Sequence, residues 1–359
     1  MPFVRSRTRV LPVVAFSAML AAACSDALAP DPTGVSTDKR RPPVDTTTTV
    51  VQPPPPTTTG SNPFAGYALY VDPYSNAKKQ ADAWRSSRPA DASQMDKIAT
   101  QSQADWFGSW NSDIRTAVDA RTTTITNAGK LPVFVAYNIP KLDCGSGGAV
   151  SADAYRSWIS AFAAGIGTRK AVVILEPDAL AAMSCLSTTD QTNLRTNLIH
   201  DAVKILKAQP AVAVYMDAGH SNWMSVATMV TRLTAAGIAE ADGFSLNVSN
   251  FEYNSNLETY GTSISAGVGN KHFVFDTSRN GAGPGSTWCN PDGRALGSAP
   301  TTNTGKTLVD AVLWIKRPGE SDGTCNGGPS GGAWWADYAL GMAQRSNLTA
   351  AVRPMLAAR

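Results

Sequence analysis

The chain has 359 residues, 43% of them hydrophobic and only 16% charged, which is too long for a disulfide mini-protein and too apolar for a wholly disordered chain. Of its 31 Lys/Arg and 28 Asp/Glu, six and four fall in the first 61 residues, so the remaining body is almost neutral and lacks the concentrated basic footprint that nucleic acid demands of a main partner. Its three histidines, His200, His220 and His272, are scattered and do not read as a zinc centre, so the chemistry is expected to run on carboxylates, with no metal and no cofactor.

Residues 1–24 read as an export signal. Arg5, Arg7 and Arg9 form a basic start, and Leu11–Ala23 is a run of apolar and small residues too short to remain in a bilayer as a helix. Cys24 follows Leu20-Ala21-Ala22-Ala23, similar to a bacterial lipoprotein box with its Leu displaced by one position. Lipidation of Cys24 is therefore expected, with ordinary cleavage nearby as the alternative; the product is either secreted or attached to an outer membrane or cell surface. Residues 25–61 form a linker, with Thr46–Thr49, Pro53–Pro56 and Thr57–Thr59 as uninterrupted tracts. They have no apolar periodicity to repay ordering and read as an extended spacer.

Residues 62–359 are expected to fold as one domain. Apolar runs at Tyr67–Val71, Leu131–Tyr137, Ala171–Glu176, Ala211–Met216, Gly243–Asn247, His272–Asp276 and Ala311–Ile315 suit strands buried on both faces of a parallel sheet. Helical stretches such as Ala152–Gly165, Thr189–Lys207 and Trp223–Ala236 lie between them. About seven strands alternating with helices predict an α/β fold, a distorted parallel (β/α) barrel, over a doubly wound open sheet. Without Cys24 four cysteines remain, an even set for an exported protein. The sequence-local pairing, Cys144–Cys185 and Cys289–Cys325, is favoured over free thiols, each bridge contributing about 3–4 kcal/mol.

Polar residues collect where these strands end: Asp72; Tyr137, Asn138 and Asp143; Glu176 and Asp178; Asp217 and His220; Asn247 and Asn250; Asp276 and Arg279; Lys316, Glu320 and Asp322. Helix caps account for individual Asp and Asn residues but not for Tyr, Lys or Arg beside them, whereas parallel α/β folds build their sites from the loops leaving the strand carboxyl ends. Tyr74, Trp223 and Trp288 fall on loops and suit stacking on a flat ligand face, while Trp84 and Trp314 read as core. Carboxylates, loop aromatics and few cations point to sugars, whose glycosidic bonds are broken by paired carboxyl groups.

The run Val172-Val173-Ile174-Leu175-Glu176-Pro177-Asp178-Ala179-Leu180 resembles the signature of glycoside hydrolase family 6, the inverting cellulases. Val71-Asp72-Pro73-Tyr74, Tyr137-Asn138-Ile139-Pro140, Asp143-Cys144, Tyr215–His220, Asn247–Asn250, Trp288-Cys289 and Lys316–Gly323 follow in the family's order, so the resemblance covers residues 62–345. It implies Asp178 as general acid, Asp143 as the aspartate that raises the acid's pKa and helps organise water, and Asp322 as the base candidate, acting directly or through waters. Tyr137 is implied to crowd the sugar at the cleavage point. Asp217, His220, Asn247, Lys316 and Glu320 are implied as the polar sugar-binding shell, and Tyr74, Trp223 and Trp288 as aromatic subsites. Two positions depart from the family's pattern: Leu142 stands where Arg is usual before Asp143, and Tyr74 where Trp is frequent.

The resemblance implies inverting hydrolysis of β-1,4-glucans by a monomer. The short segments from His220 to Asn247 and from Asp322 to Trp334 predict an open cleft and internal cleavage rather than the roofed tunnel of the family's cellobiohydrolases. An inactive sugar-binding lipoprotein on the same scaffold is the rival from another class. Gly328-Pro329-Ser330-Gly331-Gly332 formally matches a serine-hydrolase motif, but no predicted strand precedes it as a nucleophile elbow requires.

Overall fold

The computed structural model describes residues 62–348 apart from Ser146; the signal-like stretch with Cys24 and the whole Pro/Thr linker lie outside the described residues. Seven parallel strands run in sequence order across one curled sheet: β1 (Asp105–Gly108), β2 (Val133–Tyr137), β3 (Ala171–Leu175), β4 (Val212–Asp217), β5 (Gly243–Leu246), β6 (His272–Asp276) and β7 (Val309–Leu313). Among the described residues eight α-helices accompany them: α1 (Asn76–Trp84), α2 (Pro89–Ala99), α3 (Ile114–Asn127), α4 (Ala152–Ile166), α5 (Thr189–Lys207), α6 (Val226–Ala235), α7 (Asn254–Gly267) and α8 (Ala336–Gln344). Side-chain caps begin several of them. Asp113 accepts from Thr116 N–H, Ser151 from Ala154 N–H, Thr188 from Gln191 N–H and Ser225 from Thr228 N–H, each satisfying a donor that the first helical turn leaves free.

Alternation along each strand divides the core in two. Val133, Val135, Val172, Ile174, Ala213, Tyr215, Val274, Ala311 and Leu313 point to the concave interior, where Phe64 packs with them. Their neighbours Phe134, Ala136, Val173, Leu175, Val214, Met216, Phe244 and Phe273 point outward and meet residues of α3 to α7, including Val118, Phe162, Leu198, Leu233 and Ile264. Each large apolar side chain buried in this way contributes about 1.5–3 kcal/mol, and burial on both faces is why the runs read as continuous apolar stretches. A third cluster joins α1, α2 and α8 around Trp314, which is core as expected, while Trp84 is half-buried against its edge.

Six of the seven predicted strands are present. The predicted first, Tyr67–Val71, is replaced by a single parallel bridge from Leu69 to Leu131, with Leu131 N–H donating to Ala68 O at 3.1 Å. The true first strand is Asp-Trp-Phe-Gly, four residues led by a carboxylate, with too short an apolar run to signal itself. The ladder does not close between β1 and β7, which makes the sheet a curled half-barrel. The gap is crossed by Ala104 N–H donating to Trp314 O at 2.9 Å, by Trp106 Nε1–H donating to Ile315 O at 2.8 Å, and by Arg317 Nη2 at 2.7 Å from Asp105 Oδ1. His272 begins β6, at the amino end of the sheet, where its Nδ1 lies 2.8 Å from Asp310 Oδ1.

Candidate active site

Four strand exits bring predicted carboxyls together: Asp143 after β2, Asp178 after β3, Asp217 at the end of β4 and Asp322 after β7. Asp178 follows β3 after a turn in which Glu176 (φ 49°) and Asp178 (φ 68°) both adopt the left-handed region, a conformation non-glycine residues hold only where surroundings enforce it. Its backbone N–H donates to Asp217 Oδ1 at 2.9 Å. Asp217 ends β4, fully buried, and also accepts from Gly219 N–H at 3.1 Å and Ser245 Oγ–H at 3.3 Å. Asp178 Oδ1 is buried with no hydrogen-bond partner. Burial foremost, then the neighbouring carboxyls of Asp217, Asp143 and Asp322, push the Asp178 carboxyl well above its ordinary range. Burial likewise pushes Asp217 to about 6, against its backbone donors.

Asp143 stands on the loop after β2, exposed, and accepts a short hydrogen bond from Tyr137 Oη–H. Lys141, Asp143 and Cys144 all have positive φ, 59°, 51° and 60°, so this loop also stores strain. Tyr137 ends β2, is held edge-on by the Trp106 ring 5.2 Å away, and is kept protonated by burial and by Asp143. The Cys144–Cys185 disulfide joins this loop to the 3-10 turn after β3 (Ala181–Cys185), so the Asp143 and Asp178 loops are covalently tied.

Asp322 has the opposite environment. Both its oxygens accept from Arg279 Nη1, at 3.0 and 2.8 Å; Oδ2 also accepts from Asn290 N–H at 3.0 Å, and Lys316 Nζ lies 3.4 Å from Oδ1. Burial pushes this carboxyl up, but Arg279 and Lys316 outweigh it and hold Asp322 below its ordinary value, as a carboxylate. Asn290 Oδ1 in turn accepts from Asp322 N–H at 2.8 Å. The Cys289–Cys325 disulfide pins these two loops together. Both predicted pairings are thus present, each beside a predicted site residue.

The remaining predicted residues divide. Lys316 is nearly buried between Asp322 and Ser321 O, and burial lowers its pKa. Glu320 faces Arg317 at 3.4 Å. His220 sits 3.7 Å from Glu252, with its ring 5.8 Å from Trp223, and burial lowers its pKa. Tyr74 and Trp288 are 75% and 68% exposed, and Tyr74 is presented by a turn in which its N–H donates to Asp72 Oδ1 at 2.8 Å. Asn247 does not reach the cleft. It is fully buried, its amide donating to Asp276 O at 2.7 Å and accepting from Glu252 N–H at 3.0 Å, so it shapes the β5 exit instead of meeting a ligand. Ser330 lies on an exposed turn that no strand feeds, so the elbow geometry of a serine hydrolase is absent there.

Residues outside the predicted set hold this arrangement. Arg279 and Asn290 set the state of Asp322. Asp276, fully buried, accepts from Ser249, Ser278 and Lys316 N–H groups at 3.1, 2.9 and 2.9 Å and so fixes three exits at once. Among them, Arg279 and Asp276 carried a signal, as polar residues closing an apolar run. Asn290 carried none, because its partners come from a distant loop. Among the described residues no group of three or more His, Cys, Asp or Glu has the spacing of a metal site.

Residues 64–346 match the family described as glycosyl hydrolases family 6. The chain is 44% identical over 289 residues to endoglucanase A of Cellulomonas fimi, covering 79% of this chain and 62% of that protein. It is 45% identical over 267 residues to endoglucanase A of Thermobispora bispora, covering 71% of this chain and 58% of that one. The chain therefore spans about three fifths of the length of these relatives. Among solved structures, the endoglucanase Cel6 of Mycobacterium tuberculosis, in complex with methyl-cellobiosyl-4-deoxy-4-thio-β-D-cellobioside, is 44% identical with a TM-score of 0.75; the match covers 79% of this chain and 99% of that one.

Proposed function

The chain belongs to glycosyl hydrolase family 6, and from that premise we propose that it hydrolyses internal β-1,4-glucosidic bonds of cellulose or a related β-glucan with inversion at the anomeric carbon. The observation that carries this reading is the opposite treatment of two buried carboxyls. Asp178 is pushed toward the protonated form and has an unpartnered oxygen, while Asp322 is held ionised by Arg279 and Lys316. Environments that drive two carboxyls apart assign an acid and an anionic partner.

Asp178 donates its proton to the leaving glycosidic oxygen as a water attacks C1 from the other face, the geometry of a single displacement. Asp322 as direct base is disfavoured by its own contacts, since Arg279, Lys316 and Asn290 engage both its oxygens and lower its basicity. Asp143 is the better proton acceptor, through water. It is exposed, and Tyr137 O–H orients one of its oxygens. Asp322 then serves to anchor Arg279 and Lys316 at the site.

Tyr74 and Trp288, both well exposed among the described residues, favour an open cleft that receives a chain along its length. The endoglucanase-named relatives, at 44–45% identity, agree with that better than the cellobiohydrolase-named ones at 27–29%. Two disulfides suit an oxidising, extracellular setting. Lipidation at Cys24 and a monomeric state are part of the proposal, and mass spectrometry of the mature N-terminus tests the first.

The deciding experiment follows viscosity and reducing ends on carboxymethylcellulose, beside Asp178→Ala. A steep fall in viscosity for few new reducing ends, absent in the variant, is expected. Reducing ends accumulating with little loss of viscosity would reject internal cleavage, and a β-anomer as first product by NMR would reject inversion.

A further inference from the structure

Between β2 and the strained Asp143 loop runs a four-residue segment, Asn138–Lys141, with no regular structure, and its backbone is gripped from two sides by a carboxyl and a guanidinium. On one side Glu176, at the exit of β3 and 1% exposed, accepts from Asn138 N–H at 3.0 and 2.9 Å and from Ile139 N–H at 2.9 Å. On the other side Arg195, on α5 and 5% exposed, donates through Nη2 to Pro140 O at 2.8 Å and to Lys141 O at 3.0 Å. Its Nη1 donates to Ala179 O at 3.1 Å, one residue beyond Asp178. The two side chains make no direct contact with each other. The Glu176 carboxyl takes the N–H end of the segment and the Arg195 guanidinium takes its carbonyl end.

A buried carboxyl and a buried guanidinium are costly unless bound by groups that compensate them. Here the compensation is the peptide backbone leading to Asp143, and sequence-local structure does not explain why a helix on the far side of the loop should carry a buried arginine aimed at it. We propose that Glu176 and Arg195 form a positioning pair, a clamp through the Asn138–Lys141 backbone that fixes Asp143 relative to Asp178. The inference rests on the reading of Asp178 as acid and Asp143 as its partner. Neither clamp residue meets the substrate in this proposal; both act through the loop.

Three positive-φ residues crowd the far end of that loop, so it relaxes to another conformation unless its stem is over-determined. The Cys144–Cys185 bond limits how far it travels but leaves Asp143 free to turn. Loss of the clamp therefore moves Asp143 while leaving the fold and the disulfides intact. The groups facing Asp178 are Asp217, Asp143, Asp322, Lys316 and Tyr137 from β2; those facing Glu176 are Tyr137, Tyr155 from α4 and Arg195 from α5. Of these, the clamp repositions Asp143.

The test uses the full chain as Glu176→Gln, Arg195→Met and Arg195→Lys, each checked for folding by circular dichroism and for free thiols. On soluble β-glucan, Arg195→Met is expected to lower kcat about tenfold or more with KM little changed, as a small misplacement of a reacting group does. Its alkaline limb of the pH–rate profile is expected at lower pH, because a receding Asp143 no longer disfavours ionisation of Asp178. Arg195→Lys should restore part of both effects. Glu176→Gln, the isosteric change, should move kcat and the limb in the same directions, and it decides the matter should Arg195→Met fail to fold. Folded, disulfide-bonded Glu176→Gln and Arg195→Met with wild-type kcat and an unmoved alkaline limb would overturn the clamp. A wild-type chain inactive on every β-glucan would instead reject the functional reading. The clamp is then judged by NMR titration of the Asp178 carboxyl, where identical curves for wild type and both folded variants overturn it.

Discussion

Arg279 is completely buried, and one of its terminal nitrogens lies within 3.0 Å of both carboxylate oxygens of Asp322. The rest of its guanidinium reaches Ser249 O and lies 4.4 Å over the Phe251 ring. Such a pair contributes little beyond an apolar replacement, but breaking it is severe, because the survivor is left charged and dry. Arg279→Met should destabilise the fold by about 3–5 kcal/mol in chemical denaturation. The double variant Arg279→Met, Asp322→Leu should recover much of that loss without recovering activity. Equal destabilisation in single and double variants would show that the pair is not coupled.

Asp178 is expected to trade stability for chemistry. Its Oδ1 is buried without a partner and its carboxyl is disfavoured as an anion. Asp178→Asn should therefore raise the thermal midpoint while lowering kcat on β-glucan by about 10²–10⁴-fold, the usual worth of a positioned acid. Calorimetry beside viscometry checks both halves; a lower midpoint would mean that the carboxyl stabilises the fold.

In the wild type, activity should fall as pH rises through the raised pKa of Asp178, since the acid must carry its proton to work. A pH–rate profile on carboxymethylcellulose reads this directly, and its alkaline limb should disappear with Asp178→Asn. A limb unchanged by that variant would have to belong to another group.

Folding stability should also depend on pH, in the direction opposite to that of ion-paired carboxylates. Burial holds Glu176 at about 7 and Asp217 at about 6, above their ordinary 4.5 and 3.8. The folded chain thus keeps protons that the unfolded chain has already released. That stabilisation is complete below about pH 4 and is lost as pH rises through 6 and 7. Asp322, held below its ordinary value, acts in the opposite sense and only at the acid extreme. Thermal midpoints should accordingly be higher near pH 5 than near pH 8, and Glu176→Gln should flatten the slope. A midpoint that climbs from pH 5 to 8 would contradict this.

The disulfide joining the Asp143 and Asp178 loops closes a stretch of 41 residues, which corresponds to about 3–4 kcal/mol of unfolded-state restraint. The double variant Cys144→Ser, Cys185→Ser should lower stability by about that amount and should lower kcat more than it raises KM. Loss of stability with unchanged kcat would leave the bridge a role in folding alone.

Six strands were legible because burial on both sheet faces writes them as continuous apolar runs, and the site was legible because polar residues interrupt those runs where strands end. β1 was not, since Asp105 opens it with a charge that is matched only in three dimensions, by Arg121 at 2.6 Å and Arg317 at 2.7 Å. Arg195 was hidden for a related reason. In Thr189–Lys207 it looks like one more solvent-facing helical residue, and its partners, the carbonyls of Ala179, Pro140 and Lys141, have no side-chain identity to read. Asn247 misled in the other direction, because a strand-end asparagine looks the same in sequence whether it caps the backbone or faces a ligand.

The open seam between β1 and β7 has a mechanical meaning. A continuous ring of strands resists ovalisation, whereas a ring cut at one point bends easily, spreading a small rotation over the six remaining strand pairings. At the cut, the lips are fastened near Arg317, which faces Asp105 on one lip and Glu320 on the other. These contacts are partly open to water, and salt weakens such contacts as its screening length shortens toward about 3 Å at 1 M. High salt should therefore loosen this part of the fastening and leave the seam to the Ala104–Trp314 and Trp106–Ile315 hydrogen bonds, which carry no net charge to screen.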